Sequence, residues 1–412
     1  MERKTIEQNK EQRRDYAVLV GLRSPVLGAD SADEESLAEL GALVETAGGE
    51  PVGTILQSRE KPDPHSFIGE GKVEEVKRMV ENGDATMVIF DNDLSPSQIR
   101  VLTELCGVQV LDRSGLILDI FAQRAKTKEG CLQVELAQYQ YLLPRLIGMW
   151  SHLERQGGTG GSPIGTKGPG ETQLETDRRH IRRKIDKLKE ELEEVRRVRG
   201  TQRQRRMKNE IPVVAIVGYT NAGKSTLLNA ITGAGIPAND RLFDTLDTTT
   251  RLLTVSDTLD VVISDTVGFI RKLPHQLVEA FKATLEELEY ADLLLHVVDI
   301  SHPDFEEQIQ VVEKTLADLG CAEKPSMIVF NKIDNYTWTE KEPDDLTPMT
   351  RENITLDDLK RTWMAKLHEN CLFISAREKD NIDEFRDILY KKVRELHVQK
   401  YPYNDFLYNI EE

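Results

Sequence analysis

The chain has 412 residues, too many for one hydrophobic core and enough for two or three domains. Hydrophobic residues make up 39% of it and charged residues 30%, which excludes a largely disordered protein, and the formal net charge of -17 predicts overall repulsion from nucleic acid. No apolar run approaches the roughly 20 residues of a membrane span, and the charged N-terminus does not resemble a secretory signal. We therefore expect a cytoplasmic protein whose four cysteines are reduced.

The first 120 residues predict a small parallel α/β domain. Short apolar runs alternate with segments of helical spacing that each end at a glycine, and this alternation favours a parallel sheet. The domain contains neither a GxGxxG pattern nor a Walker phosphate loop. The predicted strands are residues 16–22, 87–90 and 108–111, and the predicted helices are residues 36–48 and 72–83.

Residues 121–209 predict an antiparallel helical hairpin. Its first helix covers Leu132–Leu143 and is bent or ended by Pro144, and its second runs from about Glu171 to Lys208. The second helix has a narrow apolar seam at spacings of three and four residues, which suits packing against one partner helix. The seam consists of Ile181, Ile185, Leu188, Leu192, Val195 and Val198.

A glycine-rich loop, residues 157–171, connects the two predicted helices. Two to eight residues would suffice between adjacent helices, so its length favours a functional tip whose backbone approaches a phosphate-rich surface, with a flexible linker as the alternative. Arg178–Lys208 carries 14 basic and 5 acidic residues. This basic excess suits a nucleic-acid partner, and its alternative is one solvated helix face.

Residues 210–395 predict an open, doubly wound α/β domain, and residues 396–412 form a tail. Near-continuous apolar strands recur between helical segments, as expected when helices cover both faces of a parallel sheet. The predicted strands are residues 211–217, 259–265, 291–299, 324–331 and 369–376.

Gly218–Ser225 matches the phosphate-loop pattern GxxxxGK[ST] directly after a strand and before a helix. Its glycines allow backbone N–H groups to surround a β-phosphate, and the helix N-terminus favours the negative charge. We predict that Lys224 bridges the β- and γ-phosphates and that the Ser225 hydroxyl binds Mg²⁺.

Two further segments predict contacts with Mg²⁺ and the γ-phosphate. Asp265-Thr-Val-Gly268 follows a predicted strand, where the carboxylate reaches Mg²⁺ through water and the Gly268 N–H senses the γ-phosphate. Phe243–Arg251 has the composition of a switch loop, which needs a threonine on the metal. Thr245 is the predicted ligand, and Thr248–Thr250 are competitors that the sequence leaves open.

Asn331-Lys332-Ile-Asp334 ends another predicted strand and indicates a guanine pocket. A carboxylate at Asp334 accepts hydrogen bonds from guanine N1–H and the exocyclic amine, a pattern that adenine does not offer. Ser375-Ala376 completes this pocket with a backbone N–H for guanine O6. The phosphate loop, the Asp265–Gly268 segment, the Asn331–Asp334 motif and Ser375-Ala376 occur in this order, each at the carboxyl end of a strand. Together they indicate an enzyme that hydrolyses GTP to GDP and phosphate.

Two residues bear on the rate of hydrolysis. Phe269 stands where many regulatory GTPases carry a water-orienting glutamine, which predicts slow intrinsic turnover. Asn221 stands where potassium-stimulated GTPases help to hold K⁺ beside the phosphates, and a hydrogen bond within the loop is the alternative. The predicted catalytic residues are Lys224, Asn221 and Thr245. The predicted nucleotide-binding residues are Gly218, Tyr219, Thr220, Asn221, Ala222, Gly223, Lys224, Ser225, Thr226, Phe243, Asp244, Thr245, Leu246, Asp247, Asp265, Thr266, Val267, Gly268, Asn331, Lys332, Ile333, Asp334, Ser375, Ala376 and Arg377.

The motifs GYTNAGKST, FDTLDTTTR, DTVGFI, NKID and SA resemble those of the bacterial HflX GTPases, as do PHSFIGEGKVEEVK and GTKGPGETQLETDRRHIRRKI. The resemblance covers about residues 16–395. It implies a nucleotide-binding-like N-terminal domain and a cytosolic GTPase, monomeric when free, that binds the large ribosomal subunit and splits or rescues stalled or idle ribosomes under stress. It also implies that the ribosome stimulates hydrolysis and that the hairpin meets ribosomal RNA. The implied RNA contacts are Gly157, Gly158, Gly160, Gly165, Lys167, Gly168, Gly170, Arg178, Arg179, Arg182 and Arg183.

Two other functions are weighed against a GTP-driven ribosome factor. The first is an RNA-binding or chaperone module in which GTP only stabilises the fold. The second is a metabolic P-loop kinase, which the guanine-pocket motif disfavours.

Overall fold

A computed structural model describes residues 15–146, 169–208, 211–233, 242–243, 245–246, 249–256, 259–273, 288–340 and 351–401. The chain forms two compact units, Met1–Glu193 with Lys272–Ala280, and Glu194–Arg271 with Phe281–Glu412. The strands are β1 Tyr16–Arg23, β2 Glu50–Ser58, β3 Met87–Phe90, β4 Gln109–Asp112, β5 Val213–Gly218, β6 Thr249–Ser256, β7 Leu259–Asp265, β8 Leu293–Asp299, β9 Ser326–Asn331 and β10 Cys371–Phe373. The helices are α1 Glu34–Ala47, α2 Glu70–Asn82, α3 Pro96–Cys106, α4 Arg113–Arg124, α5 Lys128–Leu142, α6 Pro169–Lys208, α7 Lys224–Thr232, α8 Phe305–Asp318, α9 Leu356–Leu367 and α10 Ile382–Lys400. Among the helices that the structure describes, none is long and apolar enough to cross a membrane.

The first unit contains a four-stranded parallel sheet in the order β2-β1-β3-β4. Its central strands β1 and β3 are buried along most of their length, as their apolar sequences predict. Val20, Phe90 and Leu102 are fully buried in the core between the sheet and its helices. The predicted parallel α/β fold of this region is confirmed.

Strand β2 is not revealed by the sequence pattern. It lies at the edge of the sheet, and Ile55 is its only buried residue. Pro51 and Gly53 interrupt the run, and both residue types are uncommon inside strands. A half-exposed edge strand shows neither regular alternation nor apolar continuity, so periodicity alone misses it.

Helices α1 and α3 begin at reciprocal side-chain caps. The Asp33 carboxylate accepts from the Ser36 N–H at 2.7 Å, and the Ser36 hydroxyl accepts from the Asp33 N–H at 3.0 Å. Ser95 and Gln98 form the same pair at the start of α3. Gly48 ends α1 with a φ of 96°, which confirms the predicted glycine stop.

Helices α5 and α6 form where the sequence predicts the two helices of the hairpin. Lys184 Nζ on α6 lies 3.1 Å from Glu135 Oε1 on α5. Ile185, Leu188 and Leu192 of the predicted seam are buried. The apolar spacing therefore identifies the packed face over the middle of α6.

The seam of α6 does not stay buried to its end. Val198 is 51% exposed, so the prediction that the packed seam extends this far is wrong. Helix α5 begins at Lys128, two turns before Glu135, so in an antiparallel pair it covers α6 only to about residue 191. In the predicted antiparallel hairpin, residue 198 would lie past the start of α5 and have no partner there.

The carboxylate of Asp112 ties helix α5 to the sheet of the first unit. Asp112 ends β4 and is fully buried. Its Oδ1 accepts from the Tyr141 hydroxyl at 2.7 Å and from the Gly115 N–H at 2.9 Å, and its Oδ2 accepts from Arg145 Nη2 at 2.8 Å. Because Tyr141 and Arg145 lie at the end of α5 and just after it, the first hairpin helix and the sheet share one buried charge.

The second unit contains a six-stranded sheet in the order β10-β9-β8-β5-β7-β6. All neighbours are parallel except β6, which is antiparallel to β7. Leu228 of α7 and Phe385 of α10 belong to one apolar cluster, and Phe305 of α8 and Trp363 of α9 belong to another. The predicted doubly wound domain is confirmed, since helices cover both faces of the sheet.

Edge strand β6 is a second strand that the sequence pattern does not reveal. Among residues 250–254, the part of β6 whose side chains are described, Leu253 alone is buried, and Leu252 is 58% exposed. Thr249 pairs with Asp265 of β7, so the predicted switch segment Phe243–Arg251 already enters the sheet at its C-terminal end.

We predict that Tyr141→Phe lowers the free energy of unfolding of the first unit by about 2 kcal/mol, because Asp112 loses a hydrogen bond to a buried charge. Urea denaturation followed by circular dichroism measures the loss. Tyr139→Phe is the matched control, since its hydroxyl has no hydrogen bond to a residue in the described part of the chain. Equal losses in the two variants would contradict the role given to Asp112.

Candidate functional site

The phosphate loop joins β5 to α7 at the carboxyl edge of the second sheet. Its last glycine, Gly223, has a φ of 90°, a conformation that side chains with a Cβ rarely adopt. A Cβ added there would lie 2.2 Å from Asn331 Nδ2. Glycine is therefore required at this position by both backbone conformation and packing.

Lys224 is the buried first residue of α7. Its Nζ donates to the carbonyl oxygens of Gly218 at 3.1 Å and Tyr219 at 2.7 Å. Burial lowers the pKa of Lys224 to about 8, the charge of Asp265 opposes this shift, and the charge of Lys332 adds to it. The ammonium group thus lies inside the loop, where it can bind phosphate oxygens.

The oxygen atoms predicted to surround Mg²⁺ lie close together. Ser225 Oγ is 2.8 Å from Thr245 Oγ1 and 2.7 Å from Asp265 Oδ2. Asp265 Oδ1 is buried and has no hydrogen-bond partner among the described residues. Burial raises the pKa of Asp265 against the opposing charge of Lys224. Two hydroxyls and a carboxylate are hard ligands, so these residues fit Mg²⁺.

The structure separates Thr245 from two of its competitors. Thr249 and Thr250 belong to strand β6, and the Thr250 hydroxyl lies 3.2 Å from the Ser264 hydroxyl on β7. Thr248 lies outside the described residues. The hydrogen bond between the Thr245 and Ser225 hydroxyls therefore favours Thr245 as the ligand.

The segment after Asp265 pairs with the phosphate loop through its backbone. The Phe269 N–H donates to the Gly218 carbonyl at 3.1 Å, and the Thr220 N–H donates to the Phe269 carbonyl at 2.8 Å. The Tyr219 hydroxyl accepts from the Arg271 N–H at 2.8 Å. Phe269 itself is buried, so its ring is a packing group.

Gly268 is surrounded closely by the phosphate loop. A Cβ at Gly268 would lie 2.8 Å from Thr220 Cα and 2.9 Å from Lys224 Nζ. A side chain at this position would displace Lys224 or the loop. Gly268 thus lies directly against the phosphate loop, and its contact with a γ-phosphate stays a prediction.

Asn331 connects three of the predicted elements. Its Nδ2 donates to the Ala222 carbonyl of the phosphate loop at 2.9 Å, and its Oδ1 accepts from the Ala376 N–H at 2.9 Å. Ser375 is fully buried next to Ala376, and its hydroxyl accepts from the Glu378 N–H at 3.0 Å. The guanine-pocket motif, the phosphate loop and the Ser375-Ala376 segment therefore form one hydrogen-bonded assembly.

Asp334, the predicted guanine acceptor, lies in a short 3-10 helix, Ile333–Asn335, just after Lys332. Its side chain is exposed, which leaves it accessible to a base. Lys332 has a φ of 63°, so the chain turns sharply between the strand and this helix.

The other predicted nucleotide contacts lie in several environments. Thr266 is fully buried and its hydroxyl donates to the Ile216 carbonyl at 2.7 Å, which is a bond to strand β5. Phe243, Leu246 and Val267 are also buried, whereas Asn221 and Arg377 are exposed and Thr226 is half-buried. Asp244 and Asp247 lie outside the described residues.

Part of the predicted RNA-contact set lies on helix α6. Arg179, Arg182 and Arg183 are exposed and Arg178 is half-buried, while Gly170 falls in the first turn of the helix. The predicted contacts outside the described residues are Gly157, Gly158, Gly160, Gly165, Lys167 and Gly168.

Two residues next to the site make contacts that the sequence pattern does not predict. Tyr219 contributes its hydroxyl to Arg271, and Asp299 pairs with Lys332. Asp299 ends an apolar strand, as Asp265 does, and this position could have identified it from the sequence as a residue near the site. The Tyr219 hydroxyl had no sequence signal, because any residue fits the variable positions of the phosphate-loop pattern.

Comparisons with known proteins identify the family. Residues 34–122 match the family described as GTP-binding GTPase N-terminal, residues 124–206 its Middle Region, and residues 213–332 the family 50S ribosome-binding GTPase. The GTPase HflX of Flavobacterium psychrophilum is 52% identical over 378 residues, which cover 91% of this chain and 90% of that protein. The chain belongs to the HflX family of GTPases. The GTPase HflX of Caldanaerobacter subterraneus subsp. tengcongensis is 56% identical over 78% of this chain and 73% of its own length.

A solved structure is also similar to this HflX-family chain. It is a GTP-binding protein from the archaeon Sulfolobus solfataricus in complex with GDP, 26% identical, covering 93% of this chain and 99% of that one with a TM-score of 0.45. The family assignment depends on the sequence relatives and confirms the resemblance in the motifs. The chain is accordingly a hydrolase that acts on GTP.

We predict that Gly223→Ala weakens GDP binding by at least about tenfold, because the added Cβ displaces the Asn331 amide. Isothermal titration with GDP measures the affinity. Gly200→Ala in helix α6 is the control, since a Cβ there meets no atom within 4 Å. Unchanged GDP affinity in Gly223→Ala would show that the Asn331 bridge is not required.

Proposed function

We propose that this HflX-family GTPase binds the large ribosomal subunit and splits or rescues stalled or idle ribosomes under stress, with GTP hydrolysis controlling its release. The match of residues 213–332 to the 50S ribosome-binding GTPase family carries the proposal. The exposed arginines of α6 support it, because they suit an RNA partner.

The exposed arginines of α6 provide a local basic surface on a chain that is acidic overall. With a net charge of -17, the average surface repels RNA, so binding needs a local basic surface. Arg179, Arg182 and Arg183 follow one another within about one turn of α6, and all three are exposed. Such a cluster binds phosphates without reading base sequence, and the glycine-rich tip at residues 157–171 remains the predicted point of entry.

At the GTP site each residue has a proposed part. Lys224 would bind the β- and γ-phosphates, and Ser225, Thr245 and Asp265, whose oxygen atoms lie close together, would hold Mg²⁺. Bound Mg²⁺ supplies positive charge against the charge that develops on the phosphates. Asp334 selects guanine, and the base covers this exposed carboxylate when it binds.

Intrinsic hydrolysis is proposed to be slow, with the ribosome as its activator. The buried Phe269 ring cannot orient water by hydrogen bonding. Asn221 is proposed to help hold K⁺, whose charge would act where other GTPases use an arginine finger. The Asn221 side chain is exposed and has no hydrogen bond to a described residue, which favours ion binding over the alternative of a bond within the loop.

Co-sedimentation with purified large ribosomal subunits tests the partner. We expect tighter binding with a non-hydrolysable GTP analogue than with GDP. The variant Arg179→Glu/Arg182→Glu/Arg183→Glu should bind at least about tenfold more weakly and with a smaller salt dependence, because three phosphate contacts are lost. Arg361→Glu, an exposed arginine on α9, is the control.

Binding that is no better with the GTP analogue than with GDP would count against the ribosome factor. The chaperone alternative predicts that Lys224→Ala, folded but poor in nucleotide binding, would still remodel RNA at full rate.

Turnover in K⁺ and in Na⁺ buffer tests Asn221. We expect wild-type turnover to be several-fold faster in K⁺, and Asn221→Gly to lose that difference. Glycine is the appropriate replacement because Asn221 has a φ of 60°, which glycine adopts without strain. Equal wild-type turnover in the two salts would exclude a role for K⁺.

A further inference from the structure

An acid outside the four GTPase motifs holds the lysine of the guanine pocket. Lys332 Nζ lies 2.7 Å from Asp299 Oδ2, and the two side chains are only 19% and 14% exposed. An ion pair that is mostly shielded from water orients a flexible side chain more strongly than an exposed pair does. The ion pair with Asp299 thus fixes the ammonium end of Lys332 within the Asn331–Asp334 motif.

The sheet brings Asp299 to this place. Strands β8 and β9 are parallel neighbours, and Asp299 pairs with Asn331 at their carboxyl ends. The Ile300 N–H donates to the Asn331 carbonyl at 3.1 Å, which extends the pairing by one residue. The acid therefore lies beside the guanine-pocket motif because of strand register, and not because of a flexible loop.

The orientation of the Asp299 carboxylate is itself fixed. Its Oδ1 accepts from the Ser301 N–H at 3.0 Å and from the Ser301 hydroxyl at 2.5 Å, which leaves Oδ2 for Lys332. Each oxygen has a separate partner, so the carboxylate cannot turn away from Lys332 without losing two hydrogen bonds.

The charge of Lys332 also matters for the phosphate loop. The positive charge of Lys332 acts on Lys224, so the two ammonium groups repel each other. The carboxylate of Asp299 offsets one of these two positive charges at a distance of 2.7 Å.

We propose that Asp299 is a positioning residue for guanine-nucleotide binding, which holds the Lys332 side chain so that its methylene groups can cover the face of the base. This inference deepens the proposed function and rests on the guanine pocket assigned there. A lysine stem packs on a flat apolar surface while its ammonium group stays with a polar partner. Since GDP and GTP share the base, Asp299 should affect both nucleotides equally and leave the chemical step unchanged.

The test is a double-mutant cycle on nucleotide affinity in the full-length chain. Asp299→Asn and Lys332→Met should each weaken GDP and GTP binding by about tenfold, and the KM for GTP should rise by the same factor while kcat stays constant. The double variant should bind no more weakly than either single variant, because both remove the same pair.

Asp292→Asn is the matched control for the loss of an aspartate–lysine pair. Asp292 precedes β8, at the opposite end of this strand from Asp299, and its Oδ1 lies 2.6 Å from Lys400 Nζ. This variant should bind GDP as the wild type does. If Asp299→Asn does not fold, Lys332→Met alone still tests the pair, since it removes the same interaction from the other side.

The possible results separate this inference from the proposed function. GDP affinity in Asp299→Asn equal to that in Asp292→Asn would overturn the role of Asp299, and so would losses that add in the double variant. A wild-type protein that binds ADP as tightly as GDP would instead overturn the guanine pocket itself. A fall in kcat with an unchanged KM would place Asp299 in the chemistry and contradict a positioning role.

Discussion

The hydrogen bonds of the Asn331 side chain are the contacts on which the site depends. One amide group joins the phosphate loop at Ala222 to the Ser375-Ala376 segment, each at 2.9 Å. The three segments follow strands β5, β9 and β10, which end at one edge of a single sheet. The close approach of Asn331 to Gly223 also explains why the loop needs glycine there. The phosphate and base ends of the site are therefore built as one assembly.

A second set of contacts joins the phosphate loop to the segment that follows β7. Gly218 and Thr220 pair with Phe269 through their backbones, and the Tyr219 hydroxyl holds the Arg271 N–H. A change in the position of this segment must therefore be accompanied by a change in the loop. This is the arrangement expected of a switch, in which the bound nucleotide changes the conformation of a segment that a partner contacts.

Much of this site could be predicted from the sequence, because each motif combines an apolar strand with polar residues at its end. That pattern located Lys224, Asp265 and Asn331 at one sheet edge. Edge strands β2 and β6 could not be predicted in this way, since each has one buried residue among those whose side chains are described and lacks a clear period. The choice among the threonines likewise depended on where β6 begins, which only the pairing with β7 decides.

Contacts between residues far apart in the chain could not be predicted from sequence patterns either. Neither the Asp112–Tyr141 bond nor the Asp299–Lys332 pair has a local signal, because each depends on strand register and helix packing. The exposed Val198 shows the same limit, since a helical seam has the correct spacing whether or not its partner helix extends far enough.

We propose that the ribosome controls how long GTP stays bound before it is hydrolysed. Steady-state GTP turnover, measured in K⁺ buffer with and without purified large ribosomal subunits, tests it most directly. We expect slow turnover by the free protein, an increase of at least about tenfold with subunits, and no increase for Lys224→Ala. Turnover that is the same with and without subunits, at concentrations where the protein is bound to them, would contradict it.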